Sequence, residues 1–185
     1  YSGSIFGRLL DAAAVHIWTN VDGLMSADPT AVPQAELLEH LSYREAFELA
    51  YFGARVIHPQ ALSPALERDI PVFIRNTFNP ECKGTRIDSE GHPNPPVKGI
   101  SGIGNMTLIN IEGAGMIGVP GTAERIFGAL NRADVSVSMI SQGSSEHSIC
   151  VVVPAAAGEQ ARSILEEVFG RELRHHQIHR IALVP

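Results

Sequence analysis

The most constraining feature of the sequence is the order of apolar segments between residues 106 and 184. Runs typical of β-strands and amphipathic patterns typical of helices follow one another as strand, helix, strand, strand, helix and strand. This order favours a ferredoxin-like βαββαβ fold, in which an antiparallel sheet carries two helices on one face. The strands are predicted at 106–113, 135–141, 146–153 and 181–184, and the helices at 118–134 and 158–169.

The first part of the chain has a different pattern, which predicts an α/β layer with parallel strands. Two apolar runs, 14–18 and 71–77, are typical of buried strands, and helical patterns lie before and between them. Ser42 and Glu45 are spaced as a capping box, so we expect a helix to begin at Ser42. The helices are predicted at 4–13, 42–54 and 59–68.

A segment rich in proline, glycine and charge separates these two patterns at residues 77–97. Apolar periodicity is lost there, which is typical of a loop or a linker. The sequence therefore predicts a first domain at 1–76, a linker at 77–97 and a second domain at 98–185. Because the chain starts inside an apolar helical pattern and ends in a strand-like run, we expect it to be a piece of a longer polypeptide.

The composition limits the partners and the setting of the chain. Its formal net charge is −6, so no basic surplus exists for general binding to nucleic acid or to an anionic membrane. No apolar run approaches the length of a transmembrane helix. Cys82 and Cys150 match no metal-ligand spacing, and His175 and His179 lack companion ligands, so no metal site is predicted. A reducing, cytoplasmic location is the default expectation.

Two short motifs in the first domain offer possible ligand contacts. TNVDG at 19–23 follows a predicted strand, and ligands of open α/β sheets bind at the carboxyl ends of strands, where Thr19 and Asn20 could hydrogen-bond them. Spacing alone favours a simple tight turn at Asp22-Gly23. Arg55 could hold a phosphate, although a surface arginine with a packed stem is the more ordinary interpretation.

The segment QGSSEHSI at 142–149 places small polar side chains between two apolar runs. The loop 113–121 precedes a predicted helix, whose free N–H groups would suit a ligand carboxylate. Gln142 and the serines could then bind the amino and hydroxyl groups of that ligand. A polar hairpin turn explains the same pattern equally well, so the sequence pattern leaves both interpretations open.

These stretches resemble the aspartokinase family over most of the chain. IWTNVDGLMSADP is similar to the family's IWTDVDG-x-Y-T-x-D-P-R segment, and SYREAFELAYFGARVIHP is similar to its SY-x-EA-x-EL-x-YFGAKV segment. IPVFIRNTFNPECKGTRI is similar to its NT-x-NP-x-x-x-GT segment. The resemblance implies the end of an amino-acid-kinase-fold α/β catalytic domain, followed by a ferredoxin-like ACT regulatory domain.

For the first domain, the resemblance implies contacts to ATP. The family uses ATP, with Mg²⁺, to phosphorylate the side-chain carboxylate of aspartate. Its lysine-containing KFGGTS-type segment and its GSD segment are not in this chain, so no catalytic residue is assigned and the chain alone is expected to be inactive. This sequence has Asn20, Met25, Thr30 and Arg55 where the family commonly has Asp, Tyr, Arg and Lys. The implied ATP contacts are Thr19, Asn20, Met25, Thr30, Arg55 and Val56.

For the second domain, the resemblance implies an amino-acid effector. ISQGSSEHSICVVVP is similar to the form in threonine-inhibited bifunctional aspartokinase–homoserine dehydrogenases, so threonine is the expected effector, with lysine as the alternative. The family also implies dimers or higher oligomers through ACT domains, and a strand of a second ACT unit at 96–101. A purely regulatory, amino-acid-binding module without kinase activity is the alternative function. The implied effector contacts are Gln142, Ser144, Ser145, Glu146, Met116, Val119 and Ile140.

Overall fold

The computed structural model describes residues 1–51, 56–144 and 147–184. The chain forms two compact units, Tyr1–Ile103 and Gly104–Pro185. No helix within the described ranges is long and apolar enough to cross a membrane. Each unit is built around its own hydrophobic cluster.

The first unit contains a mixed four-stranded sheet in the order β1-β3-β4-β2. Strands β1 and β3 are parallel, as the sequence predicts, whereas β4 runs antiparallel to β3 and parallel to β2. The helix predicted at 59–68 is a single 3₁₀ turn at Pro59–Ala61 followed by a four-residue helix. The elements are α1 Ser2–Leu9, β1 Val15–Thr19, β2 His40–Ser42, α2 Tyr43–Tyr51, α3 Ser63–Leu66, β3 Val72–Asn76 and β4 Thr85–Asp88.

Helix α2 begins with the predicted capping box. The backbone N–H and the hydroxyl of Ser42 both donate to the Glu45 carboxylate, at 2.7 and 2.8 Å. The backbone N–H of Glu45 donates in return to the Ser42 hydroxyl oxygen at 3.3 Å. Two donors that a helix start leaves free are therefore satisfied within one turn. Ala46 and Leu49 on the next turns are buried against the sheet.

The prediction that 77–97 is only a linker was wrong, because strand β4 lies inside it and belongs to the first sheet. Thr85 and Ile87 are buried, but a four-residue strand next to glycine and proline gives too little periodicity to detect. Gly84 has a φ of +73°, and a Cβ atom there would collide with the carbonyl oxygen of Ile74. The predicted strand at 96–101 is absent, and these residues belong to the first unit.

The second unit has the predicted ferredoxin-like fold. Its sheet has the order β6-β7-β5-β8, and every neighbouring pair is antiparallel. The buried residues of β5 and β7 pack with those of α4 and α5 in one cluster. Strand β6 is shorter than predicted. It begins at Met139, and residues 135–138 form no strand. The elements are β5 Met106–Glu112, α4 Thr122–Arg132, β6 Met139–Gln142, β7 Ser148–Pro154, α5 Gly158–Val168, α6 Gly170–Arg174 and β8 Arg180–Val184.

Candidate functional site

The first candidate site lies where the parallel strands β1 and β3 end at the same edge of their sheet. Thr19 and Asn76, the last residues of the two strands, are register partners. The backbone N–H of Thr77 donates to the carbonyl oxygen of Thr19 at 2.8 Å. Asn20 follows directly and is exposed, with its side-chain oxygen 3.3 Å from the Thr19 hydroxyl. Thr19 and Asn20 are thus presented at the edge where α/β sheets bind ligands.

Asp22 ties the loops after these two strands together. Its Oδ1 atom accepts hydrogen bonds from the side-chain amides of Asn76 at 2.7 Å and Asn79 at 3.1 Å. Spacing alone assigns Asp22 to a tight turn, and neither asparagine is among the predicted contacts. The parallel register of β1 and β3 brings these three residues together. The sequence clue to this contact is the NT-x-NP motif, which contains both asparagines.

Met25 and Thr30 lie further along the loop that leaves Asp22. Met25 is half-buried and forms an isolated antiparallel bridge with Leu37. Thr30 is exposed, and both its hydroxyl and its backbone N–H donate to Oδ1 of Asp28, at 2.7 and 2.9 Å. The hydroxyl proton of Thr30 is therefore used within its own turn.

Two predicted ATP contacts remain, Arg55 and Val56. Val56 is half-buried and packs against the core of the first unit. Arg55 lies outside the described residues. The five predicted contacts that the structure does describe are neutral, so they offer hydrogen bonds and apolar contact but no cation for a phosphate. They fit the nucleoside part of a nucleotide better than its phosphates.

A cleft of about 360 Å³ opens beside the start of α2. Within it the Lys98 ammonium lies 2.8 Å from the Glu45 carboxylate, and only 7% of the Lys98 side chain is exposed. Partial burial would raise the pKa of Glu45, but the hydrogen bonds from Lys98 and Ser42 outweigh it and lower that pKa. The cleft is lined by Arg44, Glu45, Glu48, Leu49, Pro96, Val97, Lys98, Gly99 and Ser101.

The second candidate site lies in the ferredoxin-like unit, where the loop 113–121 meets the hairpin between β6 and β7. The backbone N–H of Gly113 donates to the carbonyl oxygen of His147 at 2.9 Å. Ile140 and Gln142 pair with Val151 and Ile149, both buried. Because register partners point to the same side of a sheet, Ile140 and Gln142 lie on the helix-bearing face.

The loop 113–121 also packs tightly against the chain that leads into β8. The backbone N–H of Gly115 donates to the carbonyl oxygen of Gln177 at 2.9 Å. A Cβ atom on Gly113 would collide with that same carbonyl oxygen, so the approach requires glycine. Met116 is buried in the core of the unit, whereas Val119 is 49% exposed. Ser144 is exposed beside Gln142, and Ser145 and Glu146 lie outside the described residues.

The described ranges contain no group of three or more His, Cys, Asp or Glu side chains that could hold a metal ion. In the second unit, the loop 113–121 and the segment 142–149, which carry the predicted effector contacts, meet at one end of the sheet. In the first unit, Thr19 and Asn20 lie at the carboxyl end of β1, next to the end of β3.

Residues 1–76 match the amino acid kinase family, and residues 109–169 match the ACT domain. The chain therefore combines an amino-acid-kinase region with an ACT domain, the module that the ferredoxin-like unit represents. Over all 185 residues it is 44% identical to the bifunctional aspartokinase/homoserine dehydrogenase of Haemophilus influenzae, and it covers 23% of that protein. Lysine-sensitive aspartokinase 3 of Escherichia coli is 33% identical over 153 residues, which are 83% of this chain and 34% of that protein.

Solved structures show the same relationship. The aspartate kinase of Clostridium acetobutylicum matches 100% of this chain with a TM-score of 0.85 and 30% identity, over 42% of its own length. Escherichia coli aspartokinase III in complex with lysine and aspartate matches 100% of the chain with a TM-score of 0.76 and 29% identity, over 40% of its own length. The chain belongs to the aspartokinase family. It spans about a fifth to a quarter of the length of the bifunctional relatives.

Proposed function

We propose that this chain carries the end of the catalytic region and an ACT regulatory region of an aspartate kinase that threonine inhibits. The parent reaction converts ATP and L-aspartate to 4-phospho-L-aspartate and opens the route to lysine, threonine and methionine. The observation that carries the proposal is the junction between loop 113–121 and the 142–148 hairpin, joined by the Gly113–His147 hydrogen bond. The 44% identity to bifunctional enzymes over the whole chain supports it.

In the catalytic region, the residues of this chain would hold the nucleoside part of ATP. Thr19 and Asn20 would hydrogen-bond it, Met25 and Val56 would pack against it, and Arg55 would pair with its phosphates. Bound ATP supplies the phosphoryl group, and its Mg²⁺ neutralises the charge that develops on transfer. Thr30 would contribute little, because its hydroxyl donates to Asp28. The chain alone should transfer no phosphate to aspartate, and any ATP- and aspartate-dependent turnover by purified protein would contradict this.

In the regulatory region, the effector site combines backbone and side-chain donors. The first backbone N–H groups of α4, at 122–124, receive no side-chain cap and would receive the effector carboxylate. Gln142 and Ser144, with Ser145 and Glu146, would bind its amino and hydroxyl groups. Ile140 and Val119 are 54% and 49% exposed and would contact its methyl group, above the buried Met116. Threonine would inhibit by binding one arrangement of the enzyme more tightly than another.

Titration calorimetry of the chain with threonine, lysine and isoleucine tests the effector proposal. Threonine should release or absorb heat, and Gln142→Ala should weaken that binding by at least about tenfold, because a polar contact to a charged ligand is lost. Gln160→Ala is the matched control, since Gln160 is an exposed glutamine of the same unit that lies on α5. Binding of lysine alone would keep the family and overturn threonine as the effector.

A regulatory module without nucleotide binding is the second candidate function. The observation that favours it is the neutral character of the five described nucleotide contacts. Trp18, the one tryptophan of the chain, immediately precedes Thr19 and is 51% exposed, so its fluorescence should report ATP at this edge. A Trp18 signal that saturates with ATP would support the catalytic assignment, and threonine binding without that signal would support the module.

The exposed edge of the second unit supports an oligomer. Strand β6 lies at the end of its sheet, and Met139 and Ile140 on it are 49% and 54% exposed. An apolar strand edge is a template for pairing with another chain. We therefore propose that the chain forms homodimers or higher oligomers through its ACT region. Light scattering should give a mass of at least two chains, and a mass of one chain would contradict the proposal.

A further inference from the structure

Lys98, close to the end of the first unit, is joined to α2 by an ion pair in which the lysine side chain is almost fully buried and the glutamate side chain is partly exposed. The Lys98 ammonium lies 2.8 Å from the Glu45 carboxylate, and only 7% of the Lys98 side chain is exposed. Lys98 is one of two lysines in the chain, and the other, Lys83, is exposed. Glu45 already caps α2 through Ser42, so Lys98 acts on the residue that fixes where this helix begins.

The same short segment is fastened to a second loop. The backbone N–H of Ile100 donates to the carbonyl oxygen of Ser26 at 2.8 Å. A Cβ atom on Gly99 would lie 3.1 Å from both that oxygen and a methyl carbon of Leu49 on α2, which is tighter than ordinary contact. Residues 98–100 therefore touch both the loop at Ser26 and helix α2. We name residues 98–100 the clasp.

The clasp contacts one chain segment beside a predicted nucleotide contact and the helix that precedes two others. Ser26 directly follows Met25, and α2 ends at Tyr51, shortly before Arg55 and Val56. In the other direction, the chain leaves the clasp and enters the second unit at Gly104. The clasp is thus separated from the second unit only by residues 101–103, and it contacts Ser26, next to Met25, and Glu45 at the start of α2.

We infer that Lys98 is a positioning residue that couples the effector site to the nucleotide segments. The inference rests on the proposed function, since it requires the ACT region to bind an effector. Coupling between two sites needs a physical element whose state both sites bias. The pair has a made state and a costly broken state, because separation leaves the Lys98 ammonium without its partner on a side chain that is only 7% exposed, whereas the partly exposed Glu45 can be hydrated. Effector binding would shift the clasp between these states and so alter the start of α2 and the loop at Ser26.

Amide hydrogen exchange of the whole chain, with and without saturating threonine, tests this inference. In the unaltered protein, threonine should change the exchange rates of Ile100 and of the first amides of α2 by about fivefold or more, the lower range of allosteric coupling. Lys98→Met should abolish this threonine-dependent change in α2 while calorimetric heat from threonine remains. Lys83→Met is the matched control and should leave the change intact.

The variant Glu45→Gln distinguishes a role of the ion pair in coupling from a role of Glu45 in forming helix α2. Glutamine can complete a capping box, so α2 should still form, while the ion pair to Lys98 is lost. This variant should bind threonine and show no threonine-dependent exchange in α2. The inference is overturned if threonine binds without changing exchange in the unaltered protein, or if both variants transmit the change undiminished. Absence of threonine heat in the unaltered protein would remove the proposed function itself, and the inference with it.

Discussion

Asp22 and Asn76 are joined by a hydrogen bond of 2.7 Å between the carboxylate of one and the side-chain amide of the other. The two residues are 54 positions apart in the sequence. Their contact fixes the loop after β1 relative to the end of β3, and Asn79 adds a second amide to the same carboxylate oxygen. The predicted nucleotide contacts Thr19 and Asn20 lie inside the segment that this contact holds.

Loss of the Asp22 carboxylate should destabilise the first unit. Asp22→Ala removes two hydrogen bonds to a charged acceptor, and we expect the free energy of unfolding to fall by about 1–2 kcal/mol. Asp22→Asn keeps an acceptor oxygen and should recover part of the loss. Urea unfolding followed by Trp18 fluorescence measures this, since Trp18 lies in the first unit. The exposed Glu81→Ala variant should match the unaltered protein, and equal destabilisation by both would argue against the contact.

The Lys98–Glu45 pair should show an energetic coupling in a double-mutant cycle. We expect Lys98→Met to lower the stability of the first unit by about 1–2 kcal/mol, less than a fully buried pair, because 37% of the Glu45 side chain is exposed. Glu45→Gln should lower the free energy of unfolding by less in the Lys98→Met variant than in the unaltered protein. Additive effects of the two substitutions, measured by urea unfolding, would mean that the residues act independently.

The second unit should lose stability in acid through Glu172. Its carboxylate lies 2.6 Å from the Arg125 guanidinium, whose hydrogen bond lowers the pKa of Glu172 against the opposing effect of burial. A carboxyl group with a lowered folded pKa stabilises the fold above its unfolded pKa, about 4.3, and this contribution disappears as pH falls through the folded pKa. Unfolding followed by circular dichroism should therefore show a stability loss below about pH 4.

The variant Arg125→Met tests whether the ion pair with Glu172 causes the loss of stability in acid. In this variant the pKa of Glu172 returns towards its ordinary value, so the stability difference from the unaltered protein should be present at pH 7 and shrink as pH falls below about 4. Glu172→Gln should remove the same pH dependence. A difference between the unaltered protein and Arg125→Met that stays constant from neutral to acid pH would contradict the assignment.

Two glycines of the second unit should respond to alanine in opposite directions. Gly113→Ala places a methyl group against the Gln177 carbonyl, and we expect a loss of about 1–3 kcal/mol. Gly128→Ala lies inside α4, where the new methyl group meets its nearest neighbour at 3.4 Å, and should gain up to about 1 kcal/mol. Native-state hydrogen exchange of the slowest β5 amides measures both. Destabilisation by Gly128→Ala as large as that by Gly113→Ala would refute the argument from close approach.

The sequence predicts the strands and helices whose apolar residues recur at a regular spacing. The ferredoxin-like order follows because β5, β7, α4 and α5 repeat their apolar residues over two or more turns or pleats, whereas the short helix α6, with one apolar residue, is not predicted. Strand β4 escapes prediction because only Thr85 and Ile87 alternate, between residues typical of loops. The Ser42–Glu45 capping box is local in sequence, so it is both predicted and confirmed.

The candidate sites are predicted only in part, because their contacts depend on tertiary structure. Nothing local to Asp22 reveals that Asn76 and Asn79 donate to it, and the parallel register of β1 and β3 is needed to bring them together. Lys98 falls at the end of a segment without periodicity, which hides its ion pair with Glu45. The sequence of the motif 142–149 shows that it is polar. Its contact with Gly113 cannot be predicted from that sequence, because it depends on the pairing of β5 with β7.

Amide chemical-shift mapping during titration with threonine tests the central claim most directly, because it reports binding and location together. The account predicts saturating shifts concentrated in the loop 113–121 and the segment 140–149, with lysine and isoleucine producing smaller changes. These shifts should vanish in Gln142→Ala and persist in Gln160→Ala. Shifts centred elsewhere in the chain, or a spectrum unchanged at millimolar threonine, would contradict an effector site at the junction of loop 113–121 and the β6–β7 hairpin.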